Sequence, residues 1–376
     1  IVFGDWSSDV CSSDLVSHIS RKGVAKDEFG KFSTADVIIA TYEAIDIMLR
    51  SGHPNLIRDI RTVVVDEIQM LSDEERGFIL DGLIARLRLI LPKAQMLYLS
   101  ATISDPENLA KQLRAALIHY DDRPVPMERH MVMCMDEHVK MRNMKLLVQN
   151  EFCNRSSFGF LGQTIIFTNS RKNAERLAEF LNDNHVRASA YHGGLDYWKR
   201  KLIEKSFEMQ KIACVVTTAA LAAGVDFPAS QVIFFNLTMG IKWLTVAEFE
   251  QMSGRAGRLK KHDMAKVYLL ISPGRIYAGA QSDTEESVAI RLLKGKIEPL
   301  DLTPNQDAQY SQILATCAMA TSAESQDHGL SRSDLQYFHT LLYNGNFDLN
   351  SAIVYLSENK YVQKISNKSE IGRAHV

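Results

Sequence analysis

Short runs of aliphatic and β-branched residues recur along this chain, and between them apolar residues fall three or four positions apart. Residues 36–40, 62–65 and 95–99 are near-continuous apolar runs, a pattern that predicts buried strands. Ser104-Asp105-Pro106-Glu107 predicts a capping box with proline in the first helical turn, and Leu109 and Leu113 follow on one face. A second series starts near Gly162. Residues 163–167 predict a strand, and Asn169-Ser170 predicts a cap for a helix with Ala174, Leu177, Ala178 and Leu181 inward. Further strands are expected at 213–217, 231–235 and 266–271. Alternation of this kind indicates an α/β protein whose parallel sheets are covered on both faces.

Beyond about Gln281 the pattern turns helical, with helices expected around 311–315, 331–342 and 350–356 and a wing strand at 358–364. The expected organisation is a first lobe at 16–125, a second at 126–280 and a mostly helical, winged-helix-like segment at 281–369.

The two ends have a different character. The last seven residues, from Glu370 to Val376, admit a coding whose reverse complement reads Asp-Val-Cys-Ser-Ser-Asp-Leu, the peptide found from Asp9 to Leu15. Agreement at all seven positions marks them as two ends of a sequencing-library adapter. Residues 1–15 and 370–376 are therefore expected to be non-native tails outside the fold. The natural segment, from about Val16 to Ser369, is expected to be cut from a longer protein.

Composition narrows the class. The apolar fraction, 46%, is ordinary for a globular protein, and no run is long enough to span a membrane. The formal net charge is −2. Asp5, Asp9 and Asp14 belong to the N-terminal tail, so the remainder is close to neutral, which still permits a basic groove. Cys134, Cys153, Cys214 and Cys317 are widely spaced and form no C-x-x-C pair, consistent with reduced, metal-free thiols in the cytoplasm. Cys214 lies in an apolar strand and reads as a core thiol.

The candidate chemistry begins with Asp66 and Glu67, which close the valine run. At the carboxyl end of a parallel strand, acids face the ligand crevice. An aspartate there can hold Mg²⁺, usually through water, and the adjacent glutamate can orient or deprotonate an attacking water. Alone, such a pair is usually a solvated turn. Ser100-Ala101-Thr102 after the next strand strengthens the functional reading. The most specific run is Gln251-Met252-Ser253-Gly254-Arg255-Ala256-Gly257-Arg258. Guanidinium groups bind phosphate oxygens bidentately and stay charged. Delivered from a second lobe, Arg255 and Arg258 could stabilise charge building on a transferred phosphoryl group. The phosphate-cradling pattern G-x-x-x-x-G-K-[ST] does not occur. Gly30-Lys31 is followed by Phe32, and Gly295-Lys296 by Ile297.

From about Ser33 to Pro273 these runs resemble a superfamily-two DExH/D-box helicase. The stretch 219–229 and Asp73-Glu74-Glu75-Arg76-Gly77 point to the Ski-type and archaeal DNA-repair branch. The resemblance implies two RecA-like lobes, the first truncated, and the start of a winged-helix domain. It implies ATP and Mg²⁺ as cofactors, with Gly224 and Asp226 joining Asp66, Glu67, Gln251, Arg255 and Arg258 around the nucleotide. Ser100, Ala101 and Thr102 would link nucleotide state to grip on a strand, together with Gln69. The family has histidine or aspartate at that position, and a neutral amide can bridge by hydrogen bonds but cannot titrate.

Thr217, Thr218, Thr41, Thr168, Asn169, Arg171, His192 and Gly193 would meet nucleic-acid phosphates, although His192 fits a packed or capping imidazole equally well. The implied partner is single-stranded or partly duplex DNA or RNA, bound by a monomer. The implied function is an ATP-dependent helicase or translocase, with this fragment inactive by itself. The alternative is a nucleic-acid clamp of the same fold whose ATPase has decayed.

Overall fold

The computed structural model describes residues 2–3, 16–19, 36–51, 53–73, 76–100, 103–120, 123–218, 227–240, 242–276, 283–296, 306–321, 330–343, 345, 347–365 and 370–374. Gly224, Asp226, Ala101 and Thr102 lie outside them. The chain forms two units: Ile1–Ile118 with Pro299–Val376, and His119–Glu298.

The first unit is built on a five-stranded parallel sheet. Its strands are β1 (Val2–Phe3), β2 (Val16–Ile19), β3 (Val37–Ala40), β4 (Thr62–Val65) and β5 (Gln95–Tyr98), in the order β2-β3-β1-β4-β5. Helices α1 (Tyr42–Arg50), α2 (Gly77–Ile90) and α3 (Pro106–Gln112) belong to the same unit. Ile45 and Leu49 of α1 meet Val63 and Val65 of β4 and Leu80, Leu83 and Leu87 of α2 in one core. Each such side chain contributes about 1.5–3 kcal/mol when fully buried.

Three expectations change here. β1 falls in the stretch read as a foreign tail, yet it stands between β3 and β4 in parallel register with both. Without it, β3 and β4 would each present an open ladder edge at that position, and such edges accept short extended segments. β5 was expected to be covered on both faces, but it ends the sheet, and Leu97 is exposed. Finally, α3 is capped by Asp105, whose carboxylate accepts from Asn108 N at 3.0 Å, and not by Ser104. Pro106 follows Asp105 directly and occupies the first helical position.

The second unit has a six-stranded parallel sheet. Its strands are β6 (Met127–Met133), β7 (Thr164–Phe167), β8 (Ala188–Tyr191), β9 (Cys214–Thr217), β10 (Gln231–Phe234) and, after the hairpin β11 (Thr238–Met239) and β12 (Lys242–Trp243), β13 (Ala265–Ile271). The order is β6-β13-β10-β7-β9-β8. β7, β9 and β10 are buried along their whole length, as continuous apolar runs require. Helices α4 (Glu137–Cys153), α5 (Arg171–Asp183), α6 (Tyr197–Glu208), α7 (Val246–Ser253) and α8 (Glu285–Lys294) belong to this unit.

Ala174, Leu177, Ala178 and Leu181 form the buried face of α5, as their spacing predicts, and Cys214 is a fully buried core thiol. Helix α8 was expected to open the winged-helix segment. It packs instead on the second unit's core through Val288, Ala289 and Leu292, and Glu285 meets Lys140 of α4 in a fully buried ion pair at 2.9 Å.

The C-terminal segment holds α9 (Gln306–Thr321), α10 (Arg332–Leu341) and α11 (Leu349–Glu358). An antiparallel sheet of β14 (Leu330–Ser331), β15 (Val362–Ile365) and β16 (Glu370–Ala374) completes it, in the order β14-β16-β15. β16 falls in the C-terminal stretch read as foreign, yet it pairs with both neighbours. The segment docks on α2. Arg86, wholly buried, donates to the Asp46 carboxylate and, at 2.8 Å, to Gln312 Oε1. Burial lowers the Arg86 pKa and the neighbouring Asp46 opposes that shift. Gly82 leaves room for Gln312 where it crosses α2: a β-carbon there would lie 1.6 Å from Gln312 Oε1, so the side chain that accepts from Arg86 would have to shift. Among the described residues no helix is long and apolar enough to cross a membrane.

Candidate functional site

In the first unit the acidic pair stands where β4 and β5 end side by side. Val65 O accepts from Leu99 N, and Leu99 O accepts from Ile68 N, each at 2.9 Å. This ladder brings the turn after Asp66 against the turn that holds Ser100. Glu67 sits in the left-handed region at φ 56°, an uncommon conformation for a non-glycine residue, and its N–H donates to Asp66 Oδ1 at 3.0 Å. The chain then enters the short 3-10 helix Ile68–Ser72. From it Gln69 reaches both neighbours. Its amide nitrogen donates to Glu67 Oε2, and its side-chain oxygen accepts from Ser100 Oγ at 2.5 Å.

A second cluster adjoins α1. Thr41 caps that helix, with its hydroxyl accepting from Ala44 N at 3.4 Å. Arg76 donates to Glu43 Oε1 from two nitrogens, at 2.9 and 2.6 Å, and lies over the Tyr42 ring. Gly77 follows, where a β-carbon would come within 2.2 Å of Leu71 O. Thr41-Tyr42-Glu43 and the described residues of the second run, Asp73, Arg76 and Gly77, are thus fastened together.

In the second unit the arginine run leaves α7. A capping box of Thr245 and Glu248 starts that helix, Gln251 lies half-buried on it, and Gly254 ends it. Arg255 is half-buried and Arg258 exposed. The loop between them is held at several points. Gly257, at φ 80°, donates its N–H to Ala229 O at 2.8 Å, and Arg123 donates to Ala256 O at 2.6 Å. Arg258 N donates to the buried His262 Nδ1 at 3.0 Å. Burial lowers the His262 pKa, which keeps the ring neutral and Nδ1 available as acceptor. Partial desolvation also lowers the Arg258 pKa, but a guanidinium keeps its charge.

Several expected strand contacts stand at the carboxyl ends of the second sheet. Thr168 and Thr217 are buried with their hydroxyls engaged inside the protein: Thr168 donates to Asn236 Oδ1 at 2.8 Å, and Thr217 to Thr218 O at 3.1 Å. His192 is buried too, with Nε2 3.2 Å from Glu175 Oε1. These three side chains shape the turns around them. Gly193 is open, and Arg171 is exposed. Asn169 accepts from Asn173 Nδ2 at 2.6 Å. It also lines a cleft of about 370 Å³ with Lys172, Asn173, Arg176, Asn236 and Arg275. Sequence reasoning passed over Lys172, Arg176, Arg275 and Asn236. The available signal was position, since Asn236 and Arg275 follow shortly after β10 and β13.

The DEAD/DEAH box helicase family profile matches residues 5–110, beginning inside the stretch read as a tail, and the helicase conserved C-terminal domain matches residues 146–260. A probable ATP-dependent helicase of Methanocaldococcus jannaschii is 51% identical over 282 residues, 75% of this chain and 34% of that protein. The ATP-dependent DNA helicase Hel308 of Thermoplasma volcanium is 28% identical over 369 residues, 88% of this chain and 52% of that protein. The chain therefore spans between a third and about half of these relatives' length. The Mycobacterium smegmatis helicase Lhr, solved bound to single-stranded DNA and AMP-PNP, matches with a TM-score of 0.71 at 20% identity. That match covers 96% of this chain and 48% of the other, and it shows a shared fold.

Proposed function

Because the chain belongs to the superfamily-two DExH/D-box helicases, we propose that it is part of an ATP-dependent motor that moves along a single strand of nucleic acid. The observation that carries this reading is the joined turn at the ends of β4 and β5, where Gln69 ties Glu67 to Ser100. One end of that chain of hydrogen bonds is suited to nucleotide chemistry, and the other leads into the Ser100 turn, which the resemblance assigns to coupling.

The acidic pair fits the Mg²⁺ of a bound nucleotide, whereas the loop that would cradle the phosphates does not occur in this sequence. Mg²⁺ takes one or two carboxylates from a protein and completes its shell with water and phosphate. Asp66 and Glu67 offer that number. When bound, Mg²⁺ would neutralise phosphate charge. Asp66 would hold it through water, and Glu67 would orient the attacking water. Arg255 and Arg258 would stabilise charge on the transferred group, with Gln251 beside them and Gly224 and Asp226 near the nucleotide. Arg171, Asn169 and the open backbone at Gly193 would meet strand phosphates, which need no sequence readout. A cytoplasmic setting suits the four free thiols among the described residues.

The test is ATP hydrolysis by the full-length natural protein with and without single-stranded oligonucleotide, followed by strand displacement. Stimulated hydrolysis with displacement supports the motor. Tight strand binding with no turnover would make the protein a clamp and overturn the motor reading. The 376-residue chain, lacking G-x-x-x-x-G-K-[ST], is expected to bind a strand without hydrolysing ATP.

A further inference from the structure

Helix α6 begins with two aromatic rings in solvent. Tyr197 and Trp198 are 50% and 79% exposed, and Leu202, one turn on, is 67% exposed. The two rings meet edge to face, with centroids 5.4 Å apart and planes at 76°. The helix secures itself elsewhere: Phe207 is its buried residue, and Ile203 packs partly on the core. Nothing in that packing calls for aromatic side chains at 197 and 198. Lys201 and Lys205 share the Tyr197 face of the helix, because residues three and four apart are neighbours, while Lys199 stands to one side of it. Lys201 lies with Nζ 5.9 Å from the Tyr197 ring centre and pairs with Glu204 at 3.0 Å, and Lys205 is exposed one turn further. Lys199 reaches Asp196 at 3.8 Å, an exposed pair that holds it weakly. From Asp196 to Lys205 four cations stand against two acids.

The patch is also fixed in place relative to a predicted strand contact. Tyr191, next to His192 and Gly193, donates its hydroxyl to Glu204 Oε1 at 2.7 Å and so ties the end of β8 to the middle of α6. Exposed rings interleaved with lysines match what a single strand offers, since each base has a face that stacks and each phosphate attracts a cation.

We propose that Tyr197 and Trp198 form a stacking platform for a base of a single nucleic-acid strand whose phosphates pass beside Lys201 and Lys205. The proposal rests on the reading of the chain as a nucleic-acid motor and adds a base contact to a grip otherwise made through phosphates. Stacking accepts any base, so the platform serves movement along a strand without choosing a sequence.

The test uses the whole 376-residue chain, a short fluorescein-labelled thymidine oligonucleotide and an abasic strand of equal length. Anisotropy reports binding, and tryptophan emission is followed in unlabelled parallel titrations. The thymidine strand should quench wild-type emission, and most of that quenching should vanish in Trp198→Phe, which still stacks and binds nearly as well. Trp198→Ala should bind roughly five- to 150-fold more weakly, as loss of one base–aromatic stack implies, with its melting temperature unchanged. The abasic strand should bind wild type and Trp198→Ala alike and quench neither. If the thymidine strand binds but neither quenches Trp198 nor distinguishes Trp198→Ala, the platform is wrong and the nucleic-acid reading stands. If no strand binds, both fall. If poly-glutamate quenches as strongly as the oligonucleotide, the patch is a surface for an acidic protein and the platform is overturned.

Discussion

The Ser100 hydroxyl donates a 2.5 Å hydrogen bond to the side-chain oxygen of Gln69, whose amide nitrogen donates in turn to Glu67. A neutral amide suits this place because it donates one way and accepts the other. Gln69→Glu removes the donor and sets two carboxylates against each other, which raises the pKa of one of them. A carboxyl group whose folded pKa lies above its unfolded value favours the fold below the unfolded pKa, and that support is lost as pH rises through the folded value. The variant should therefore be less stable than wild type at neutral pH, by about 1 kcal/mol, and the gap should narrow near pH 4. Paired thermal melts at the two pH values check this, and an equal gap at both would remove the like-charge account.

Gly257 is expected to tolerate no side chain. It lies at φ 80°, and a β-carbon would stand 2.7 Å from Ala265 Cβ and 2.9 Å from Val125 Cγ1. Gly257→Ala should destabilise the second unit by roughly 2–5 kcal/mol, combining left-handed backbone strain with overpacking. Gly193→Ala, with nothing within 4 Å of the new carbon, should stay within about 0.5 kcal/mol of wild type. Urea denaturation of both variants decides the matter.

The contrast between these glycines shows where sequence reasoning reached and where it stopped. Both were visible as members of motifs, and their different environments were not. Local patterns were legible: the strand at Thr164–Phe167, the inner face of α5 and the Ser170 cap all follow from residues a few positions apart. What joins distant segments was not. Arg76 finds Glu43 across 33 residues, and Lys140 finds Glu285 across 145. No periodicity announces such pairs, and the second of them draws α8 into the second unit. Thr168, Thr217 and His192 were chosen for what they could offer a strand, and burial directs their side chains inward. His262 escaped notice because its role depends on a backbone N–H that only the folded loop presents.

The Lys140–Glu285 pair should be costly to break by halves. Both side chains are fully buried, and Glu285 Oε2 also accepts from Ser272 N at 2.6 Å. Burial lowers the Lys140 pKa and Glu285 opposes that shift. Lys140→Met alone leaves an uncompensated buried carboxylate, at a cost of roughly 3–5 kcal/mol. Lys140→Met with Glu285→Leu should recover most of that loss. A double-mutant cycle by chemical denaturation gives the answer, and a double variant no better than the single would show that the charges are not coupled.

The His262 contact sets a pH dependence. Its folded pKa is lowered, by burial first and by Lys261 and Arg258 after it, with Glu151 and Asp263 opposing. The unfolded chain therefore takes up a proton first. The stabilisation is complete above the unfolded histidine value of about 6.5 and is lost as pH falls through the folded value. His262→Gln should remove part of the fall in melting temperature between neutral pH and pH 5. His339, also lowered by burial, accounts for a further part in the other unit. An unchanged slope in His262→Gln would mean that the ring is not neutral in the fold.

In the full-length protein, Arg258→Ala should reduce kcat far more than it weakens nucleotide binding. A guanidinium acting on transition-state charge contributes roughly 10³–10⁵ in rate in phosphoryl transfer, and its loss appears in kcat with little change in ground-state affinity. Asp66→Ala should weaken Mg²⁺-dependent nucleotide binding and turnover together. Steady-state kinetics with nucleotide titration at fixed salt separates the two, and a near-normal kcat in Arg258→Ala would assign that arginine to structure.

Arg86 waits a long time for its partner on the ribosome. It lies 226 residues before Gln312 in the chain, and at roughly 5–20 residues per second the glutamine emerges some 10–45 s later. Throughout that interval Asp46 is already made, but the docking face of α2 has nothing to cover it. The second unit, His119–Glu298, is synthesised whole within the same interval and has every strand it needs. The order of birth is thus the reverse of the order of completion. The unit begun first gains this contact only after the second has been made whole, and its guanidinium meets Gln312 only when the C-terminal segment arrives.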